Sequence, residues 1–145
     1  MLYLCLTINN CPLELIDLGT RVHPKQIYDT CKQTGNNAFH MFTMNTIIRV
    51  EVGRNIMDHI ILQEQYIWKA AGAKNMENRV PLCIALEAGK VWEGGIDKLA
   101  RAAMYLLRVP DPATGLYPFM IASIGEESST NTIFNLLKLC PDLIH

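Results

Sequence analysis

Two six-residue stretches, Val80-Pro81-Leu82-Cys83-Ile84-Ala85 and Tyr117-Pro118-Phe119-Met120-Ile121-Ala122, share one apolar pattern and stand 37 residues apart (118 − 81). Aligned to the same anchor, Met1-Leu2-Tyr3-Leu4-Cys5 precedes Ala38-Phe39-His40-Met41-Phe42 by 37 again (38 − 1). The middle step is 43 (81 − 38), which reads as the same unit carrying about six extra residues (43 − 37). A chain built this way stacks one supersecondary unit on the next, and each unit buries its apolar face only against its neighbours. The expectation is a solenoid of helix pairs in four successive units, with no central sheet.

The columns of the alignment support the repeat. One place after the anchor stand Leu2, Phe39, Leu82 and Phe119, and two places further Leu4, Met41, Ile84 and Ile121, all apolar. The fourth place holds Cys5, Phe42, Ala85 and Ala122, small in three of four units as close helix contact requires, with Phe42 the misfit. Three places before the anchor are Gly35, Asn78 and Gly115, residue types that enter positive φ most cheaply, so a turn is expected ahead of each helix. Twenty-three places after it come Pro24, Met104 and Pro141 (24 − 1, 104 − 81, 141 − 118), so the second half of the unit repeats as well.

Within a unit the reading is turn, short helix, second helix, loop. Pro81 opens a helix to about Ala88, where its missing N–H costs nothing, and Gly89 stops it. The second helix covers about Gly95 to Leu106, with Ile96, Leu99, Ala100 and Ala103 on one face. In the last unit Ser128, Ser129 or Thr130 caps a helix over 131–139 lined by Ile133, Leu136 and Leu137, and Pro141 lies beyond its end. In the first, Pro12 starts a helix lined by Leu15, Ile16 and Leu18. The extra residues of the second unit are expected between Thr46 and Arg54. The whole reads as one domain over 1–145, with units of about 1–34, 35–77, 78–114 and 115–145.

Half of the residues are hydrophobic, yet no uninterrupted apolar run approaches the roughly 20 that span a bilayer, so no membrane partner is expected. The apolar start, Met1 to Ile8, has neither the basic flank nor the small-residue cleavage site of a signal peptide. Five cysteines, odd in number and without a CxxC pair, argue against a disulfide framework or zinc ribbon and point to a reducing, intracellular compartment, the cytoplasm. A net charge of −1 with scattered signs offers no basic stripe to nucleic acid.

Catalytic groupings are few. Cys31 and His40 are close in sequence, but His40 occupies a column where a structural hydrogen bond to turn backbone is expected. Cys5 and Cys83 fall in core columns and read as buried thiols. His23 and His59 have no partner at ligand spacing. The Gly125-Glu126-Glu127 loop lacks a P-loop's lysine, and Gly94-Gly95 lacks the strand and third glycine of a dinucleotide fingerprint. No catalytic residue, cofactor site or metal site follows from these residues.

The segments Asn78 to Ala85 with Gly89, Gly115 to Ala122 with Ile133 and Leu136-Leu137, and Gly35 to His40 resemble the ankyrin repeats, whose turn is followed by T-P-L-H-x-A, a glycine and a V-x-x-L-L second helix. They are most similar to the divergent, long-period ankyrin-like repeats of some microbial eukaryotes, in which a segment like Asp111 to Phe119 follows a helix ending in an Ala-Ala-Pro-like step, here Ala102-Ala103-Met104. The departures are a period longer than the usual ~33 and the absence of threonine before the anchor, where Asn37, Val80 and Tyr117 stand. The resemblance implies an all-α solenoid of about four helix pairs that binds a protein partner without catalysis. It also implies a concave face made of turn tips and first helices. On that face the exposed turn positions would include Asn36, Asn37, Arg79, Asp111, Thr114, Leu116 and Tyr117, with Arg79, Leu116 and Tyr117 as anchors.

Met1 on an anchor and His145 where a turn should begin suggest a segment cut at both ends from a longer array. Leu15, Leu18, Phe134, Leu137 and Leu139 would then be exposed end faces open to self-association. The alternative is a helical enzyme or small-ligand binder, with a pocket built by His59, Tyr66 and Trp68 in the irregular second unit.

Overall fold

The computed structural model describes residues 2–7, 11–45, 50–61, 67–124 and 128–144. Among them the chain is all-helical and contains no strand. The helices are α1 (Leu2–Thr7), α2 (Leu13–Val22), α3 (Ala38–Met44), α4 (Val50–Ile61), α5 (Ile67–Gly72), α6 (Pro81–Glu87), α7 (Ile96–Ala102), α8 (Pro118–Ile124) and α9 (Thr130–Leu139). Tight 3-10 turns occupy Pro24–Ile27, Trp92–Gly94, Met104–Arg108 and Pro141–Ile144.

The repeat is visible in the backbone. Gly35 and Gly115 both have φ +71° and Asn78 has φ +62°, so the three residues that sequence spacing places ahead of a helix all sit in the left-handed region. At the other end of the unit, His23 (φ −134°, ψ 66°), Ala103 (φ −139°, ψ 55°) and Cys140 (φ −137°, ψ 68°) break the second helix in nearly the same conformation. The next residue, Pro24, Met104 or Pro141, then opens a 3-10 turn. Proline bars its predecessor from the α region, which accounts for the bend at His23 and Cys140. Ala103 bends identically without one, so packing also selects this geometry. The helix expected as far as Leu106 therefore ends at Ala102.

The same register corrects the position of the extra residues. α2 and α9 begin twelve places after their anchors (13 − 1, 130 − 118). In α4 the buried Gly53, Ile56, Met57 and Ile60 continue the inward face formed in α7 and its end by Ile96, Leu99, Ala100 and Ala103. No insertion can precede a stripe that is still in phase. The added residues enter after Ile60, not between Thr46 and Arg54; residues 46–49 and 62–66 lie outside the described chain.

Helices pack in chain order. α1 rests on α3, α3 on α6 and α6 on α8, while α2 packs on α4 and α4 on the turn that leads into α7. Four hydrogen bonds between elements each span 39 residues: His40 to Arg79, Asn45 to Leu6, Arg54 to Glu93 and Asn75 to Asn36. Three of them join neighbouring units, whose anchors stand 37 or 43 residues apart, and the fourth joins two successive turns. Leu2, Leu6, Phe39, Leu82, Ile96, Leu99 and Leu107 fill the continuous core between the rows.

Cys5, Phe42, Ala85 and Ala122, four places after each anchor, are all buried. Phe42 fits because a glycine faces it. A Cβ on Gly95 (φ +115°) would lie 3.3 Å from the Phe42 ring and 2.8 Å from Met57 Cγ. In α2, Ile16, Gly19 and Thr20 face inward, whereas Leu15 and Leu18 are exposed, matching the exposed face expected of them and not the packed stripe with Ile16. At the other end of the stack Phe134 is exposed and Leu137 and Leu139 are half-buried.

Candidate functional site

The turns before α3 and α8 are built alike. Gly35 N–H donates to Cys31 O at 2.7 Å and Cys31 N–H to Asn36 O at 2.8 Å; Gly115 N–H donates to Asp111 O at 2.7 Å and Asp111 N–H to Leu116 O at 2.9 Å. In each a threonine hydroxyl four places before the anchor accepts an N–H two residues on, Thr34 from Asn36 at 3.2 Å and Thr114 from Leu116 at 3.3 Å. A shared x-x-Thr-Gly in Cys31 to Gly35 and Asp111 to Gly115 is the sequence signal for this turn. The middle turn is one residue tighter: Asn75 N–H bonds Arg79 O at 3.0 Å, and Asn75 Oδ1 accepts from the N–H groups of Glu77 and Arg79, both at 3.0 Å.

Successive turns are joined directly. Met76 N–H donates to Thr34 O at 2.9 Å and Asn75 Nδ2 to Asn36 Oδ1 at 3.0 Å. A Cβ at residue 35 would fall 2.8 Å from Met76 N, so Gly35 is required by contact as well as by φ. The middle turn is tied to the last by charge. Arg79 donates to both Asp111 oxygens, from Nε at 3.1 Å and from Nη2 at 3.0 Å, and from Nη1 to Glu87 at 2.6 Å. The Asp111 side chain is fully buried and that of Arg79 is 10% exposed. Burial works to lower the Arg79 pKa, but the hydrogen bonds and charges of Asp111 and Glu87 outweigh it and the net shift is upward.

Where threonine would stand before the anchor, Asn37 takes its place in the second unit. Its side chain accepts His40 N–H at 3.1 Å and donates to Ala70 O at 2.8 Å. His40 Nε2 lies 3.0 Å from Arg79 O. A carbonyl can only accept, so Nε2 carries a proton, while Nδ1 lies 3.2 Å from Asn37 N, which donates to it when the ring is neutral, and 2.8 Å from Asn37 Oδ1. Burial lowers the His40 pKa, partly offset by the Arg79 carbonyl. Val80, in the same column one unit on, supplies no side-chain cap.

These contacts alter the surface that the sequence suggests. Asn36, Asn37, Arg79 and Asp111, expected to be exposed, are buried: Asn36, Arg79 and Asp111 hold one turn to the next, and Asn37 caps α3 and bonds Ala70 of α5. Thr114 is exposed but donates its hydroxyl to Asp111 at 3.2 Å, and Leu116 and Tyr117 are half-buried, with the Tyr117 ring stacked 6.4 Å from that of Phe119.

What the turns enclose is a groove of about 430 Å³. It is lined by Gln33, Thr34 and Asn36 of one turn, by Asn75, Met76, Glu77 and Arg79 of the next, and by Met44, Ile84 and Glu87 of α3 and α6. Sequence reasoning missed its floor. Six places after the anchors stand Thr7, Met44, Glu87 and Ile124, all exposed and chemically unlike one another.

Trp68 is 55% exposed and lines neither this groove nor the cavity of about 140 Å³ beneath the Asp111 turn; Tyr66 and the His59 side chain lie outside the described residues. Among the described residues no helix is long and apolar enough to cross a membrane, and no cluster of three potential ligands is placed to hold a metal ion. Comparison with protein-family models, with curated proteins and with solved structures found no match.

Proposed function

We propose that this chain is an ankyrin-like helical-repeat module that binds a partner protein through the groove between its turns, without catalysis. One observation carries the reading: two successive turns, tied to each other by Met76 N–H to Thr34 O and by Asn75 to Asn36, and the two helices that follow them converge on a single groove. A rigid concave surface supported in this way suits recognition, because little conformational freedom is left to lose on binding. The ankyrin reading draws further support from the in-order packing of α1, α3, α6 and α8, from the positive φ ahead of three helices, and from His40 reaching the next turn's backbone.

Site-specific photocrosslinking tests the reading. A benzophenone side chain placed at Gln33, exposed on the groove rim, should yield a discrete adduct with a protein in the native cell. The same group at exposed Trp68, away from the groove, should not. Equal labelling from both positions, or none from Gln33, would refute the proposal.

A further inference from the structure

Exposed apolar side chains include Leu15, Leu18 and Val22 on α2, Met104, Tyr105 and Val109 after α7, Phe134 on α9, and Met44 and Met76 in the groove beside half-buried Ile84. Outside the groove, nothing about these side chains specifies an occupant. The groove differs because its charge is one-sided. Its only lining cation is Arg79, whose Nε, Nη1 and Nη2 are all committed to Asp111 and Glu87. Its lining carboxylates are Glu87, half of whose side-chain surface remains exposed, and Glu77, which is exposed and has no ion pair among the described residues. Asp111 and Glu87 both meet the Arg79 guanidinium, and Glu77 adds a further carboxylate to the lining.

Resting on the interaction-module reading above, we propose that the groove takes a segment of a partner protein that presents an apolar side chain next to a lysine or arginine. The apolar residue enters between Met44, Met76 and Ile84. Two of these are methionines, whose unbranched, polarisable side chains adapt to the shape they meet, so the segment is selected by apolar character more than by one residue type. The basic residue lies against Glu77 and the exposed side of Glu87. An acidic segment is disfavoured there, because the one cation in the lining, Arg79, is already committed to Asp111 and Glu87. Gln33 and Thr34 on the rim are exposed and available to the partner's main chain.

The test is to pan a phage-displayed random peptide library on the intact chain at low salt and to measure the selected peptides by fluorescence polarisation. Selected sequences should pair Lys or Arg with Met, Leu or Ile. Their affinity should fall about tenfold with Met76→Lys and several-fold with Glu77→Lys, and should weaken at high salt. Both side chains are exposed, so the thermal melts of these variants should match the parent. Glu87 is avoided as a test because it neutralises Arg79. Acidic selected peptides would overturn this inference and leave the groove standing as the binding site, whereas binding that survives both groove variants and is lost in Phe134→Lys would overturn the groove as well and leave only a module that binds elsewhere. Selection of no peptide above background would overturn both.

Discussion

Replacing Asp111 by alanine strips the Arg79 guanidinium of both the oxygens it shares with that residue, and the consequence can be worked from the geometry. The carboxylate is fully buried and takes two of the three guanidinium bonds, at 3.1 and 3.0 Å, so in Asp111→Ala a side chain only 10% exposed keeps Glu87 alone. Removing one partner of a buried pair costs about 3–5 kcal/mol because the other charge stays buried. Glu87, 2.6 Å from Nη1, retains part of the compensation and argues for the lower end, about 3 kcal/mol. With a urea slope of about 2 kcal/mol/M, the midpoint should drop by roughly 1.5 M. The Arg79→Met/Asp111→Leu double variant should recover most of the loss, since well-packed apolar pairs commonly replace buried ion pairs at little cost. Urea unfolding followed by circular dichroism reads both values. If Asp111→Ala unfolds within about 0.3 M of the parent, or if the double variant is no more stable than the single one, the pair is not what holds these turns together.

Ala85→Leu or Ala122→Leu should each destabilise by about 1–3 kcal/mol through overpacking of the buried column; unchanged thermal melts would contradict that packing. His40 has a pKa below the ordinary 6.5, so its stabilising contribution is complete above that value and is lost as pH falls and the unfolded ring takes a proton that the folded one resists. The stability gap between the parent and His40→Gln should therefore narrow from pH 7 to pH 5, and a gap independent of pH would refute the buried neutral ring. Burial pulls the Lys90 pKa from 10.5 to about 8, although Nζ donates to Asn45 O at 2.9 Å and lies 4.7 Å from the Phe42 ring. Lys90→Met should thus be the more stable protein at pH 7, with the advantage shrinking as pH rises above 8 and the parent amine loses its charge. A melting temperature lowered by this substitution at pH 7 would mean that the carbonyl and ring contacts outweigh desolvation.

The repeat was legible because helix positions and turn conformations are local. Gly35, Asn78 and Gly115 announce positive φ by residue type, and Pro24 and Pro141 announce a helix break. Ser129, among three possible caps, is the one whose side chain accepts Thr132 N–H. What spacing could not supply was the partner of each polar side chain. Arg79 and Asp111 look like exposed loop charges until the fold brings positions 32 residues apart into a bidentate pair. The same limit misplaced the inward face of α2, where Gly19 and Thr20 carry no hydrophobic signal and Leu15 and Leu18 carry a misleading one. The extra residues were misplaced because no anchor falls inside α4 to fix the phase; the buried Ile56, Met57 and Ile60 fix it in the structure.

The central claim, that one helix-pair unit recurs and touches only its neighbours, is tested most directly by adding a unit. Residues 78–114 form a block of 37 (115 − 78) that contains both Arg79 and Asp111 and begins and would rejoin at left-handed turn residues, Asn78 and Gly115. A second copy inserted after Thr114 brings its own tie and its own stacking faces. Thermal unfolding of this longer chain by circular dichroism should remain a single cooperative transition, with helicity per residue unchanged and a higher melting temperature from the added interface. A broad transition, or helicity per residue diluted by an unfolded insert, would contradict the account.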